Sequence, residues 1–163
     1  PENINPDLLV IHHISLPPGE FRNRVSSQHI IDFFQNTLDV TAHPYFEEIA
    51  DQKVSSHFLI TRAGDLIQFV STRDRAWHAG ASSFMGRERC NDFSIGIELE
   101  GTETVAYTDA QYIQLGSVTN VLLHTYPNLA KNRITGHSDI SPERKTDPGP
   151  SFDWQKFYGL LGK

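Results

Sequence analysis

Residues 94–100 alternate between apolar side chains and glycine or glutamate, which is the period of a β-strand with two different faces. The apolar face carries Ile95, Ile97 and Leu99. That face has to be covered by other parts of a core, so the strand belongs to a packed sheet. Gly96, Glu98 and Glu100 form the other face. Two interpretations of the glutamates stay open: charges on a solvent-facing strand, or a carboxylate placed over a cleft for proton transfer.

Further strands accompany this one. Residues 8–12 are a short apolar run that ends in a histidine, which is typical of a buried strand. Residues 55–60 and 66–70 are two more strand-like runs, and Gly64 between them supplies the positive φ that a tight turn needs. A hairpin argues against a purely parallel sheet, so we expect a mixed one.

Helical periodicity occurs between and after these strands. Ser26 or Ser27 is expected to cap a helix whose apolar residues are Ile30, Ile31, Phe33, Phe34 and Leu38. A second helix is expected from about residue 108, and a third over about 154–161. The sequence therefore predicts one α/β domain over residues 1–163, with a central mixed β-sheet flanked by helices.

The composition restricts the partners that the chain can have. The net charge is −6 with histidine neutral, and an acidic chain lacks the basic patches of nucleic-acid binding proteins, so no nucleic-acid partner is expected. Cys90 is the single cysteine, so no internal disulfide demands an oxidising compartment. No run is apolar and long enough to span a membrane, and residues 1–6 lack the pattern of a signal peptide. We therefore expect a cytoplasmic protein with no membrane partner. A monomer is our separate expectation, which these features do not decide.

Residues 136–150 contain several groups capable of chemistry in one long loop, among them His137, Lys145 and Asp147. Long loops without regular structure are uncommon in compact domains unless they are functional. Asp147 precedes a proline, which restricts its backbone and suits a residue that must hold a single geometry. A solvated surface loop is the alternative interpretation.

His12 and His13 end the first strand, where neighbouring side chains point to opposite faces, so only one of them can face a given site. A satisfied core histidine is the alternative for either. A catalytic zinc ion typically takes three protein ligands and leaves a fourth position for water. The chain has neither a CxxC pair nor an HExxH helix, and spacing alone does not show that His12 meets His137.

Three regions of the sequence carry a resemblance to a known family. They read LLVIHHISLPPGEF at 8–21, AWHAG at 76–80 with GRERCNDFSIGIELEG at 86–101, and GH at 136–137 leading to DPGP at 147–150. The chain resembles the AmpD-type 1,6-anhydro-N-acetylmuramyl-L-alanine amidases, within the zinc amidase family related to phage T7 lysozyme and the peptidoglycan recognition proteins. The resemblance covers nearly the whole chain and implies the fold of that family.

The resemblance also implies a site. One zinc ion is implied to be held by His12, His137 and Asp147, with Glu98 as the catalytic carboxylate and Lys145 beside the reacting carbonyl. The residues implied to contact sugar or peptide are His13, Lys53, Trp77 and Arg89. Of these, His13 stands where the family pattern has Asn, and Lys53 where it has Arg. The implied substrate is an anhydro-muropeptide, which is cut between N-acetylmuramic acid and L-alanine.

Two other functions stay open. A non-catalytic muropeptide-binding module would share the fold, but it would have no need for the complete set of zinc ligands together with Glu98 and Lys145. A zinc amidase of broader reach, acting on intact cell wall outside the cytoplasm, would share that set. The absence of a signal-peptide pattern and the lone cysteine argue against this third hypothesis.

Overall fold

Within residues 3–21 and 24–162, which the computed structural model describes, the chain forms seven β-strands and five α-helices. The strands are β1 (Leu8–Ile14), β2 (Phe58–Ile60), β3 (Leu66–Gln68), β4 (Ser83–Phe84), β5 (Arg87–Glu88), β6 (Ser94–Glu100) and β7 (Ile134–Gly136). The helices are α1 (Arg24–Phe34), α2 (Pro44–Glu48), α3 (Asp109–Thr125), α4 (His137–Ile140) and α5 (Trp154–Gly159). Strands β2 to β6 follow one another without an α-helix between them, and the α-helices come before and after this run.

Five of the strands form one sheet in the order β3-β2-β6-β1-β7, while β4 and β5 pair separately. β6 runs parallel to both β1 and β2, and β7 runs parallel to β1. β3 is antiparallel to β2 and forms the outer strand of the predicted hairpin. The predicted fold class, an α/β fold with a central mixed sheet flanked by helices, is confirmed.

The two faces of the sheet bury different cores because successive strand residues point to opposite sides. One face packs against α3 and α5, in a cluster that includes Leu9, Ile11, Ile95, Ile97, Leu99, Leu115, Val118, Leu122 and Phe157. The other face packs against α1 and α2, in a cluster that includes Leu16, Ile30, Phe33, Phe34, Phe46, Ile49 and Leu59. A third cluster on the latter face contains Leu8, Val10, Ala79, Cys90, Phe93 and Ile140.

Helix α3 starts where the sequence predicts. The Thr108 hydroxyl accepts a hydrogen bond from the Gln111 backbone N–H, and the Gln111 side chain accepts one from the Thr108 N–H, both at 3.1 Å. This reciprocal cap satisfies two of the free donors at a helix start. None of the described helices combines the length and the apolar character needed to cross a membrane.

Helix α1 corrects the predicted start. The described helix begins at Arg24, so Ser26 and Ser27 lie inside its first turn and not at its cap. The Ser27 hydroxyl instead donates to the Glu100 carboxylate at 2.7 Å, and the backbone N–H of Arg62 donates to the same carboxylate at 2.9 Å. Glu100 is 1% exposed, so the solvent-facing interpretation of this strand face is wrong.

Candidate active site

Three parallel strands carry the first candidate residues to one edge of the sheet. His12 on β1 lies beside Glu98 on β6, and Ile11 lies beside Gly136 at the end of β7. The next residue after β7 is His137, so it follows directly beside His12. Carboxyl ends of parallel strands are where open α/β sheets place their ligand sites.

The segment after β7 brings in the third candidate ligand. The predicted irregular loop begins with the short helix α4, and the Ser138 N–H then donates to the Asp147 carbonyl oxygen at 2.9 Å. This bond returns Asp147 to the side of His137. Within the loop, the Lys145 N–H donates to the Ser141 carbonyl oxygen at 2.9 Å, which holds Lys145 on the same side.

The side chains of His12, His137 and Asp147 meet in a triangle. The two Nδ1 atoms are 3.0 Å apart, and the Asp147 Oδ2 atom lies 2.9 Å from Nδ1 of His12 and 3.1 Å from Nδ1 of His137. Ligand atoms around a tetrahedral zinc ion, at bonds of about 2.0–2.2 Å, are roughly 3.3 Å apart. Among the described residues, this is the one group of His, Cys, Asp or Glu placed to hold a metal ion.

The donor chemistry of this triangle also fits a cation. Burial lowers the pKa of His12 to about 4, despite the nearby Asp147 carboxylate. Burial acts to raise the pKa of Asp147, but His12 and His137 beside its carboxylate hold it well below its usual range. Near neutral pH, His12 is therefore neutral and Asp147 is charged, which are the forms in which these groups bind metal.

Each candidate histidine ligand is held by its outer ring nitrogen. Nε2 of His137 lies 3.0 Å from the Ala79 carbonyl oxygen, which can only accept, so Nε2 carries the proton and the Nδ1 lone pair faces the triangle. Nε2 of His12 lies 2.8 Å from Nδ1 of His78. Both rings thus present Nδ1 to the candidate metal position.

Glu98 and Lys145 line the same cavity as the triangle, which has a volume of about 330 Å³. Glu98 is 7% exposed. Burial raises the pKa of the Glu98 carboxyl well above its usual range, Asp147 raises it further, and Lys145 acts to lower it. A carboxyl group whose pKa moves toward neutrality can both accept and return a proton under physiological conditions.

Two of the four residues expected to contact substrate border this cavity. Trp77 is 57% exposed there, and the Arg75 guanidinium stacks 3.6 Å from the centre of its ring. His13 also lines the cavity, and neither of its buried ring nitrogens has a hydrogen-bond partner in the described part of the chain. Both side chains therefore keep groups available on the cavity side.

The other two border different cavities. Arg89 lines a neighbouring cavity of about 600 Å³, and its Nε lies 3.1 Å from the Asp92 carboxylate. Lys53 lines a third cavity, of about 180 Å³, together with residues that follow α1 and α2. The structure thus places the Arg89 and Lys53 cations outside the cavity of the triangle.

Comparison with known proteins identifies the family to which this chain belongs. The family model described as N-acetylmuramoyl-L-alanine amidase matches residues 2–150. The 1,6-anhydro-N-acetylmuramyl-L-alanine amidase AmpD of Citrobacter freundii is 60% identical over 161 residues, which cover 99% of this chain and 83% of that protein. The chain belongs to the N-acetylmuramoyl-L-alanine amidase family.

Solved structures of AmpD and of a related amidase are similar to this amidase over nearly its whole length. A crystal structure of a selenomethionine derivative of AmpD superposes with a TM-score of 0.91 at 61% identity, covering 97% of this chain and 86% of that one. The amidase AmiD of E. coli, solved with anhydro-N-acetylmuramic acid-L-Ala-D-γ-Glu-L-Lys as its substrate, has a TM-score of 0.71 at 28% identity and covers 98% and 59%. The resemblance to AmpD-type amidases expected from the sequence is confirmed.

The amidase also has site residues that the sequence analysis assigned no role. His78 contacts His12, and Arg144 donates to the Ala79 carbonyl oxygen at 2.7 Å, the same oxygen that His137 uses. One signal for His78 was present in the sequence: Gly96 lies on the same strand face as Glu98. A Cβ atom at Gly96 would lie 2.5 Å from Cγ of His78, so only glycine leaves room for that ring.

Proposed function

We propose that this amidase is a zinc-dependent hydrolase that cleaves the amide bond between 1,6-anhydro-N-acetylmuramic acid and L-alanine in recycled muropeptides. The observation that carries the proposal is the convergence of His12, His137 and Asp147 in one cavity with Glu98 and Lys145. The names of the relatives support the substrate, because the AmpD relatives and the AmiD complex both concern anhydro-muramyl peptides. The proposal treats residues 1–163 as one monomeric domain.

The candidate ligands suit a Lewis-acid role. When bound, zinc supplies Lewis acidity, which polarises a carbonyl group and lowers the pKa of water toward neutrality. His12 and His137 are neutral ligands and Asp147 adds a single negative charge, so the net charge at the site stays positive. A purely binding protein has no need for this arrangement beside a proton-accepting carboxylate.

Glu98 moves the proton in this proposal. It takes a proton from the attacking water and delivers it to the nitrogen of the departing amine, because an amide nitrogen is a poor leaving group without that proton. The raised pKa of Glu98 suits both halves of the transfer. Its place on β6, beside His12 on β1, puts Glu98 in the wall of the cavity that also contains the triangle.

Lys145 stabilises the negative charge that grows on the carbonyl oxygen. Its side chain lines the cavity together with the triangle and Glu98. A single well-placed donor of this kind contributes about 3–4 kcal/mol to transition-state stabilisation. Since Lys145 lies after β7 in the same segment as His137 and Asp147, this segment supplies two of the three candidate ligands together with this donor.

Substrate contacts complete the proposal. Arg75 covers one face of the Trp77 ring, but Trp77 is still 57% exposed, so a sugar face can pack on the rest of the ring. His13 offers its unpartnered ring nitrogens in the same cavity. Arg89 and Lys53 lie beyond that cavity and would meet carboxylates of a peptide that extends out of it. A cytoplasmic location is supported by the free, buried Cys90, because the fold requires no oxidising compartment.

The test is turnover of a soluble 1,6-anhydro-muramyl tripeptide by the purified protein, before and after metal removal and again after return of zinc. We expect turnover to disappear with chelation and to return with zinc. Full turnover by metal-free protein would refute zinc dependence, and no turnover with zinc bound would favour a binding module. Equal rates on intact cell-wall sacculi and on the soluble substrate would contradict specialisation for recycled fragments.

A further inference from the structure

A chain of hydrogen bonds leads from His12 away from the cavity. Nε2 of His12 lies 2.8 Å from Nδ1 of His78. Nε2 of His78 lies 3.1 Å from the Ser94 hydroxyl oxygen, and that hydroxyl donates to the Cys90 carbonyl oxygen at 2.6 Å. This series of hydrogen bonds therefore ends on a backbone carbonyl oxygen, which can only accept a hydrogen bond.

The fixed end sets the direction of every bond in the chain. A carbonyl oxygen only accepts, so the one hydroxyl proton of Ser94 points to Cys90. The Ser94 oxygen must then accept from Nε2–H of His78. A neutral imidazole with its proton on Nε2 has a lone pair on Nδ1, so Nδ1 of His78 accepts from Nε2–H of His12.

This direction matters because His12 has two tautomers that compete. Asp147 Oδ2 lies 2.9 Å from Nδ1 of His12 and favours a proton there. A proton on Nδ1 would occupy the lone pair that faces the candidate metal position. The acceptor at Nδ1 of His78 favours the opposite tautomer, with the proton on Nε2 and the lone pair free.

The surroundings of His78 hold its ring in place for this contact. Gly96 leaves the space that the ring occupies against β6, because any side chain at that position would collide with the imidazole. The His57 ring meets the His78 ring edge-on, with centroids 5.7 Å apart. His57 is itself fixed, since its Nδ1 accepts from the Gly96 N–H at 3.0 Å.

We propose that His78 is a positioning residue, which keeps His12 in the tautomer that binds zinc by accepting the proton of its Nε2 atom. This inference rests on the proposed zinc site. Partners that orient metal-binding histidines typically change metal affinity by about 10–100-fold when they are lost. His78 acts through His12 and is not itself a ligand.

A matched pair of variants tests the proposal. Asn and Leu have nearly the same shape, but the Oδ1 atom of Asn stands close to the position of Nδ1 in His78 and can accept from His12. His78→Leu is expected to weaken zinc binding by about 10–100-fold, and His78→Asn to stay within a few-fold of wild type. The measurement is competition for zinc with a chromophoric chelator at fixed pH.

Two further variants separate this role from packing. His57→Asn changes a buried histidine in contact with His78, yet keeps an acceptor for the Gly96 N–H, so zinc affinity should not change. His78→Gln keeps a polar side chain of similar length but places its polar atoms nearer Ser94 than His12. His78→Gln should weaken zinc binding as His78→Leu does. It replaces His78→Leu in the test if the leucine variant does not fold.

The tautomer can be read without zinc or turnover. Two-bond ¹H–¹⁵N correlation spectra of the metal-free protein should show His12 protonated on Nε2 in wild type and on Nδ1 in His78→Leu. A folded His78→Leu protein with unchanged zinc affinity and an unchanged His12 tautomer overturns the inference alone. Failure of wild type to bind zinc would overturn the proposed function, while the tautomer spectra would still decide the role of His78.

Discussion

At the scale of single residues, each candidate ligand is held in position by a hydrogen-bond partner outside the triangle. The cavity side of His12 and His137 carries bare Nδ1 atoms because a partner on the far side takes the Nε2 proton. Asp147 is held by the bond between its own carbonyl oxygen and Ser138. Enzymes depend on such support because small displacements of a ligand reduce both metal binding and rate.

Replacement of Glu98 tests the assignment of proton transfer. Glu98→Gln keeps the shape of the side chain but cannot accept a proton, so kcat on the anhydro-muramyl tripeptide should fall by roughly 10²–10⁴-fold. Zinc content, measured by elemental analysis, should equal that of wild type because Glu98 lies outside the triangle of ligands. Turnover at the wild-type rate in this variant would remove Glu98 from the mechanism.

His57 gives the fold a pH dependence of known sign. Burial lowers the pKa of His57 to about 4, from 6.5 in an unfolded chain. Between these values the unfolded state binds a proton that the folded state does not, so the free energy of unfolding falls as pH falls, by about 1.4 kcal/mol per pH unit. Above pH 6.5 both states are neutral at this residue and the effect vanishes.

The comparison for this prediction is His57→Asn, followed by urea unfolding from pH 7.5 down to pH 4. The variant cannot titrate at this position, so its free energy of unfolding should depend less steeply on pH than that of wild type below pH 6.5. Parallel curves for the two proteins would show that His57 takes up its proton equally in both states.

Most of the residue roles came from family resemblance, and the physical reasons are visible in the structure. The two candidate histidine ligands are 125 positions apart and meet only because β7 pairs with β1. No local pattern reports such a contact. The sheet face of Glu98 was easier to predict, since the strict alternation of residues 94–100 assigns each side chain to one side of the strand. His78 has no regular element to fix its direction, and the sequence offered only the glycine opposite it.

At the scale of elements, the strands and the capped helix were predictable because their signals are local. Alternation, a glycine turn and the Thr108–Gln111 cap each depend on residues close in sequence. Helix α1 was placed too late, because its two serines resemble cap residues while Ser27 is directed at Glu100 on β6. The role of Ser27 is therefore a tertiary hydrogen bond, which the helix-capping preference of serine could not predict.

The close contact between β6 and His78 predicts a cost for any side chain at Gly96. Gly96→Ala would place a methyl group against the imidazole ring, so the free energy of unfolding should fall by about 1–3 kcal/mol. Urea unfolding measures this change. Gly159→Ala is the matched control, since a Cβ atom there meets nothing within 4 Å, and its stability should be near that of wild type. Equal stability of the two variants would show that the ring yields easily.

At the scale of the whole molecule, the triangle joins distant parts of the chain. Its candidate ligands come from the first strand of the sheet and from the segment that follows the last one. A metal that binds only the folded protein stabilises it in proportion to the logarithm of its free concentration. A zinc ion bound at the proposed site would therefore be linked to the stability of the entire sheet.

The melting temperature should consequently rise with zinc. At free zinc about 100-fold above the dissociation constant, the added stability is about 2.7 kcal/mol, which is measurable by calorimetry or circular dichroism. Asp147→Ala, which lacks one ligand, should show a much smaller rise over the same concentrations. An equal rise in both proteins would show that the stabilising zinc binds elsewhere.

The position of β1 between β6 and β7 has a consequence for biosynthesis. A ribosome releases the amino end first, so His12 emerges long before the strands on either side of it exist. Strand pairs so far apart in sequence form late and slowly. A nascent chain that has not yet reached Asp147 lacks the third candidate ligand. In the proposed zinc site, the complete set of candidate ligands exists only after Asp147 has been translated, so metal loading and the turnover that depends on it would follow translation of residues 12–147.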